Sequence, residues 1–251
     1  MATVSRAYIE QFAAQNKIIT DAMGRQLVSV LAGIDTSERE TIRSLVYMVL
    51  KPYTNIAASL AAQFYNGIRQ ASNPPSEYEA SAMGGFDRVY LNQQIDDVLD
   101  KVDEGRNTAP RDKLLVDVGG KFVKDASDNS IRLNARKDPA KPKYAIVPNS
   151  DACAFCVMRA SLGYHYPEKA AIRSHHDCAC VATPVFRGAK IEGYDPKTYL
   201  DQYEQAAKAL ASGDLPQDLK DHLEAEKAAK GGEFNRTKQI LAVMRYQQGI
   251  N

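Results

Sequence analysis

All four cysteines of the chain and three of its four histidines fall between Cys153 and Cys180, a span of 28 residues. They are arranged as Cys153-Ala-Phe-Cys156, then His165, then His175-His176-Asp177-Cys178-Ala179-Cys180. A C-x2-C pair answered about twenty residues later by H-x2-C-x-C is the spacing that closes a tetrahedral zinc site. The start of the chain has no apolar stretch of signal-peptide type, so synthesis and folding in a cytosol are expected. Reducing conditions there disfavour structural disulfides, which turns a compact Cys/His cluster toward metal binding.

The cluster offers more donors than a four-coordinate ion accepts. Cys153 and Cys156, three residues apart, sit on one side of a helical turn. Cys178 and Cys180 would share a face if extended, because strand side chains alternate with period two. A shell of four thiolates and a shell of three thiolates with His175 or His176 are both open on this reading. The metal candidates are therefore Cys153, Cys156, His175, Cys178 and Cys180. A thiolate-rich set closes the shell and makes zinc a structural clip, whereas catalytic zinc keeps a position for water. The deaminase signature, H-E-x-x-H and G-x-S-x-G are all absent, so no catalytic residues are assigned and the chain is read as not an enzyme.

Around this segment the periodicity is helical. Tyr8, Phe12, Ile19, Met23, Leu27, Leu31 and Ile34 recur at three- and four-residue steps, with Gly33 as a stop. Ile42, Leu45, Val49, Tyr53, Ile56, Leu60, Phe64 and Ile68 form a second stripe. Ser37 to Glu40 reads as a capping box for it, and Pro52 as a kink or a split. Two such stripes joined by a short turn make an antiparallel hairpin.

Residues 72–86, rich in Pro, Ser and Gly, read as a loop, followed by a helix from Asp87 to about Val102. A helix over 111–136 is weakened by Gly119-Gly120, at about 1 kcal/mol per glycine relative to Ala. Tyr144–Val147, Tyr164–Tyr166 and Cys180–Phe186 read as short strands, with Asp151 capping the helix that carries C-x2-C. Asp195 as N-cap and Pro196 as first residue start a helix to Ser212, and helices near 217–229 and 234–247 follow. The expected fold is mainly α with a small α+β zinc-knuckle module, a long N-terminal helical hairpin and C-terminal helices. Its expected divisions are 1–105 (helical), 106–192 (basic helix plus Cys/His module) and 193–251 (helical).

Charge narrows the partners. The net charge of +1 over 251 residues argues against coating nucleic acid through overall charge. Locally, Arg106–Lys143 carries ten Lys/Arg against five Asp/Glu, so a zinc module that binds nucleic acid through this stretch is the alternative reading. A zinc-dependent hydrolase or nuclease with His175 or His176 as base ranks below it. The most apolar run, Leu45–Leu50, is far short of the ~20 residues that cross a bilayer. No membrane and no small-molecule substrate are expected.

The run Val147-Pro-Asn-Ser-Asp-Ala-Cys-Ala-Phe-Cys-Val-Met-Arg-Ala-Ser-Leu-Gly-Tyr164, with His175-His-Asp-Cys-Ala-Cys180 and Gly193-Tyr-Asp-Pro196, resembles the MuF-like minor head proteins of tailed phages, most closely those of actinobacterial phages. Ala179 stands where that pattern has Asp between the two cysteines. The resemblance is specific over about Ala145–Pro196. It implies a virion protein without chemistry of its own, in the capsid interior or at the portal vertex after a stay in the host cytoplasm. It also implies the portal and/or major capsid protein as partners, with packaged DNA as a further one, and a role in head assembly, packaging or ejection.

Overall fold

On the first helix Met23, Leu27 and Leu31 recur on one face and are wholly buried, which sets how the first half of the chain packs. The computed structural model describes residues 2–149, 152–165 and 180–249. Helix α1 (Arg6–Leu31) turns at Gly33, whose φ of 80° suits glycine, into the 34-residue α2 (Arg39–Ser72). Helices α3 (Arg88–Asp103) and α4 (Arg111–Lys137) complete the body. Their inner faces meet the α1–α2 hairpin in one core, where Leu91, Ile95, Leu99, Leu115 and Val123 lie against Met23, Leu27, Ile42, Val46 and Leu50.

Glycines set how closely these helices approach. A Cβ on Gly119 of α4 would stand 2.9 Å from Met23 Cε and 3.2 Å from Leu50 Cδ2. The residue that weakens α4 locally is thus the one that lets α1, α2 and α4 converge. Ala57, Ala58 and Ala61 of α2 are likewise fully buried, while Ile56, expected on the inner stripe, is half exposed.

One local expectation fails, and of the kink or split expected at Pro52 the split is absent. The capping box does not form: α2 begins at Arg39, and the Ser37 amide and hydroxyl both donate to Asp35 Oδ1, at 2.9 and 2.6 Å. An Asx turn at Asp35 satisfies Ser37 before it can reach the helix. Pro52 does not split α2. It lies on the exposed face together with Met48, where a carbonyl left without an intrahelical partner is open to solvation.

The rest of the chain builds on the far end of this body. Strand β1 (Thr3–Val4) pairs in parallel with β4 (Lys190–Ile191), and Glu192 accepts a 3.0 Å bond from the Arg6 amide at the start of α1. Strands β2 (Lys143–Val147) and β3 (Val181–Val185) form an antiparallel ladder from Lys143↔Val185 to Val147↔Val181. Helix α5 (Ala154–Ser161) packs on β2, and His165 pairs with Tyr144 in an isolated bridge. The expected strand at 164–166 is reduced to that bridge among the described residues. Helices α6 (Pro196–Ser212), α7 (Gln217–Lys230) and α8 (Arg236–Gln248) finish the chain. Asp195 caps α6 through the Lys197 amide, as its Asp-Pro start implies.

A second core joins the first turns of α1 and the end of α2 to the ladder, with Phe12 stacked on Phe64 at 4.0 Å. A third core sets Ala154 and Val157 of α5 against Ala206, Ile240, Val243 and Met244. Helix α5 is therefore gripped on both sides. The chain is mainly helical with small sheets; the zinc-knuckle part of the expected fold rests on residues that are only partly described.

Candidate metal centre

The ladder register determines where the cysteines begin. Val147 and Val181 form its last pair, so Pro148 and Cys180 are the next residues out on the two strands. From Pro148 the chain leads within a few residues to Cys153, the N-cap of α5. The Cys156 and Val157 amides donate to the Cys153 carbonyl, at 2.9 and 3.1 Å, which sets Cys153 and Cys156 one turn apart at the start of the helix. Cys156 and Cys180 are buried in the second core, and Cys153, half-buried, packs against it. Asp151 lies outside the described residues, and the N-cap position belongs to Cys153 instead.

His175, Cys178 and the alternative ligand His176 also lie outside the described residues. Among the described residues alone, no three Cys, His, Asp or Glu side chains gather as a ligand set. A full shell would draw its remaining donors from 166–179. The described part suits such a shell chemically: soft sulfur donors in a dry, apolar setting, two of them at the spacing that a single helical turn provides.

Two cations reach this end of the ladder from the helical body. Lys124 of α4 donates from Nζ to the Cys180 carbonyl at 2.9 Å and pairs with Asp128 at 3.2 Å. Arg6 of α1 donates to the Pro148 carbonyl and pairs with Glu10 at 3.0 Å.

His165 sits further along the ladder. Its backbone N–H and C=O exchange 2.8 Å bonds with Tyr144, and its ring lies 6.2 Å from the Tyr144 ring. Burial, reinforced by Arg159 and Lys143, lowers its pKa and favours the neutral imidazole. His222 is exposed on α7, beside an open hollow shared with Arg245 and Tyr246.

Sequence reasoning missed a buried polar network beside the same core. Asp138, just past α4, is fully buried. Its Oδ2 accepts from Arg69 Nε at 2.8 Å and from the Tyr65 hydroxyl at 2.9 Å, and its Oδ1 accepts from the Ala140 amide at 2.8 Å. Burial, with the Asp138 charge second, pushes the Tyr65 phenol far above its ordinary value. Arg69 also donates to the Ser76 carbonyl and lies 5.9 Å from the Phe186 ring centre. The segment expected to be a plain loop is thus a strap. Asn134 holds both the amide and the carbonyl of Ser81, Asn66 does the same for Ala80, and Ser130 receives the Met83 amide.

With this geometry in place, comparison with known proteins assigns the chain. The family model described as VG15 protein matches residues 3–206. The chain belongs to the VG15 protein family, a family of phage proteins. No curated protein and no solved structure matches it. The match runs from β1 into α6, so it takes in the helical body, the Asp138 network and the whole Cys/His segment. Helices α7 and α8 lie beyond it, although α8 packs directly on the helix that carries Cys153 and Cys156. Among the described residues no helix is long and apolar enough to cross a membrane.

Proposed function

We propose that this chain is a structural minor capsid protein of the MuF-like kind, working in head assembly, DNA packaging or ejection near the portal. The family match over residues 3–206 supports a phage role, and the Cys/His segment with Gly193-Tyr-Asp-Pro196 carries the likeness to the MuF-like kind. In this reading the portal and/or major capsid protein are its partners, packaged DNA is a further contact, and the finished protein resides in the virion. It performs no reaction of its own.

Cys153, Cys156, Cys178 and Cys180 would hold a zinc ion, with His175 as the alternative fourth ligand. The ion supplies binding energy that closes the module around α5 and the ladder. Such a clip suits a segment whose strands are only five residues each and whose helix has eight, since short elements bury little surface of their own.

The basic stretch Arg106–Lys143 supports this reading over a nucleic-acid module. Four of its ten cations, Arg106, Arg111, Lys113 and Lys124, pair with Glu104, Asp112, Asp117 and Asp128. Charge committed to internal pairs contributes little to displacing counterions from DNA.

The test is the composition of purified particles. Mass spectrometry of DNA-filled heads is expected to detect the protein, and density at the portal vertex to locate it. Consistent absence from both procapsids and virions would overturn the proposal. Elemental analysis of the isolated protein, expected to show zinc, tests the metal assignment separately.

A further inference from the structure

One row of aromatic rings crosses from α2 to α3 by way of α4, with cations at both ends. Tyr47 of α2 meets Phe86 at 5.8 Å, Phe86 meets Phe122 of α4 at 5.4 Å, and Phe122 meets Tyr90 of α3 at 5.8 Å. Phe122 is buried, so the row is rooted in the core, while Tyr90 at its end is 41% exposed. Lys51 and Arg88 both lie over the Tyr47 ring, at 5.9 and 4.6 Å from its centre. Lys121 lies 5.5 Å from the centre of the Tyr90 ring and donates to its hydroxyl at 3.1 Å. Ring faces attract cations, which holds these long side chains in place.

The three cations differ from the charges further along α3. There Asp96, Asp97, Asp100, Asp103 and Glu104 each pair with an arginine or a lysine. Lys51, Arg88 and Lys121 have no carboxylate partner among the described residues. Asp87, next to Arg88 in the chain, uses its Oδ1 to accept the Val89 and Tyr90 amides as the cap of α3. Like charges gathered without a counter-charge repel, and a carboxylate or phosphate brought from outside relieves that repulsion.

The neighbouring side chains select between those two anions. Met48, beside Tyr47, is 60% exposed, and Val89, between Arg88 and Tyr90, is 65% exposed. Phosphate groups offer such side chains nothing to pack against, whereas a protein segment offers apolar and acidic groups together. Tyr, Met and Arg are also residue types enriched at protein interfaces.

We propose that this face is a docking surface for an acidic, amphipathic segment of a partner protein. Its carboxylates meet Lys51, Arg88 and Lys121, and its apolar side chains cover Met48 and Val89. Because the cations are already held over rings, less side-chain freedom is lost on binding. The inference goes beyond the capsid reading: it assigns the receiving face and the chemistry of what docks there.

The test titrates the full chain into fluorescein-labelled probes and reads their anisotropy. The probes are a helix-forming peptide with Glu along one face and Leu along the other, the same peptide with Gln for every Glu, and a short DNA duplex. The acidic peptide is expected to bind, and the Gln peptide to bind at least about 10-fold more weakly. Lys51→Glu/Arg88→Glu/Lys121→Glu should lose about 10-fold or more in affinity for the acidic peptide. Met48→Ser/Val89→Ser should weaken the same peptide by roughly 5- to 10-fold. Lys113→Met, which removes an exposed pair with Asp117 elsewhere on α4, should change nothing. Far-UV circular dichroism checks each fold, and the milder Lys51→Gln/Arg88→Gln variant serves if the triple variant does not fold. Failure of the acidic peptide to bind, or equal binding by the Gln peptide or by the charge-reversed chain, overturns the proposal. DNA binding that the charge reversal abolishes, without peptide binding, overturns it in favour of a nucleic-acid surface. The measurement needs no phage particles, so absence of the protein from heads would remove the capsid reading and leave this surface standing.

Discussion

Replacing Arg69 by Met would leave the Asp138 carboxylate buried without its counter-charge. The two groups lie 2.8 Å apart, with side chains 11% and 0% exposed. At an effective dielectric of about 20, unit charges at that distance attract by about 6 kcal/mol, and removing both ions from water costs several kcal/mol each. The intact pair therefore adds little net stability. Breaking it by removing one partner typically costs about 3–5 kcal/mol, because the desolvated charge remains. Arg69→Met is expected in that range. Tyr65→Phe, which removes one donor and leaves Arg69 and the Ala140 amide in place, is expected at about 1.5–3 kcal/mol, the usual worth of a hydrogen bond to a charged group. Adding Asp138→Asn to Arg69→Met removes the stranded charge, so the double variant should be more stable than Arg69→Met alone. Urea titration followed by far-UV circular dichroism and tyrosine fluorescence reads the wild type, the single variants Arg69→Met, Asp138→Asn and Tyr65→Phe, and the double variant, since the chain has thirteen Tyr and no Trp. An Arg69→Met cost below ~1 kcal/mol, or a double variant that sums the two single losses, would refute the reasoning.

Further predictions concern packing, pH and the metal. A Cβ on Gly84 would stand 2.3 Å from Ala58 Cβ and 3.1 Å from the Thr54 carbonyl, neither of which can rotate away. Gly84→Ala should thus cost about 1–3 kcal/mol by overpacking, and adding Ala58→Gly should relieve most of the clash at a helix cost of about 1 kcal/mol; equal losses in the single and double variants would contradict this. Burial raises the phenol pKa of Tyr65 and of Tyr194, the latter donating to the Ala160 carbonyl at 2.7 Å. Their neutral forms favour the folded state, so the contribution is fully present below the ordinary tyrosine value near ~10 and is lost as pH rises above it, where only the unfolded chain ionises. Alkaline denaturation should begin there, and a Tyr65→Phe/Tyr194→Phe variant with an unchanged alkaline limb would count against the assignment. Chelation of bound zinc, or Cys156→Ser, should lower the melting temperature by about 2–4 °C for each kcal/mol of lost binding energy; an unaltered transition after verified metal release would reject the clip.

Helix boundaries were largely legible because they depend on chemistry local in the chain. Asp87 ahead of α3 and Asp195-Pro196 ahead of α6 act as written, each aspartate accepting amides within three residues of itself. Ser37 did not, because Asp35 competes for it two residues away. Burial was less legible wherever a third element decides it. Ile56 fits the apolar stripe of α2 and yet faces out, while Ala57, Ala58 and Ala61 face in. The choice follows from the close approach of α4, which small residues permit.

By itself the sequence determined that the chain is helical, where its helices start and stop, and that its thiols concentrate in one short segment. Those properties arise from caps, periodicity and spacing within a turn or two. Only the tertiary structure decided that residues 73–87 form a strap rather than a free loop. It also decided that Asp138 meets Arg69 and Tyr65 across about seventy positions, and that Arg6 and Lys124 converge on the strand ends beside the cysteines. Such pairings depend on packing between distant segments, where a charged residue finds its partner only after apolar faces have set the register. No spacing within the chain encodes that choice.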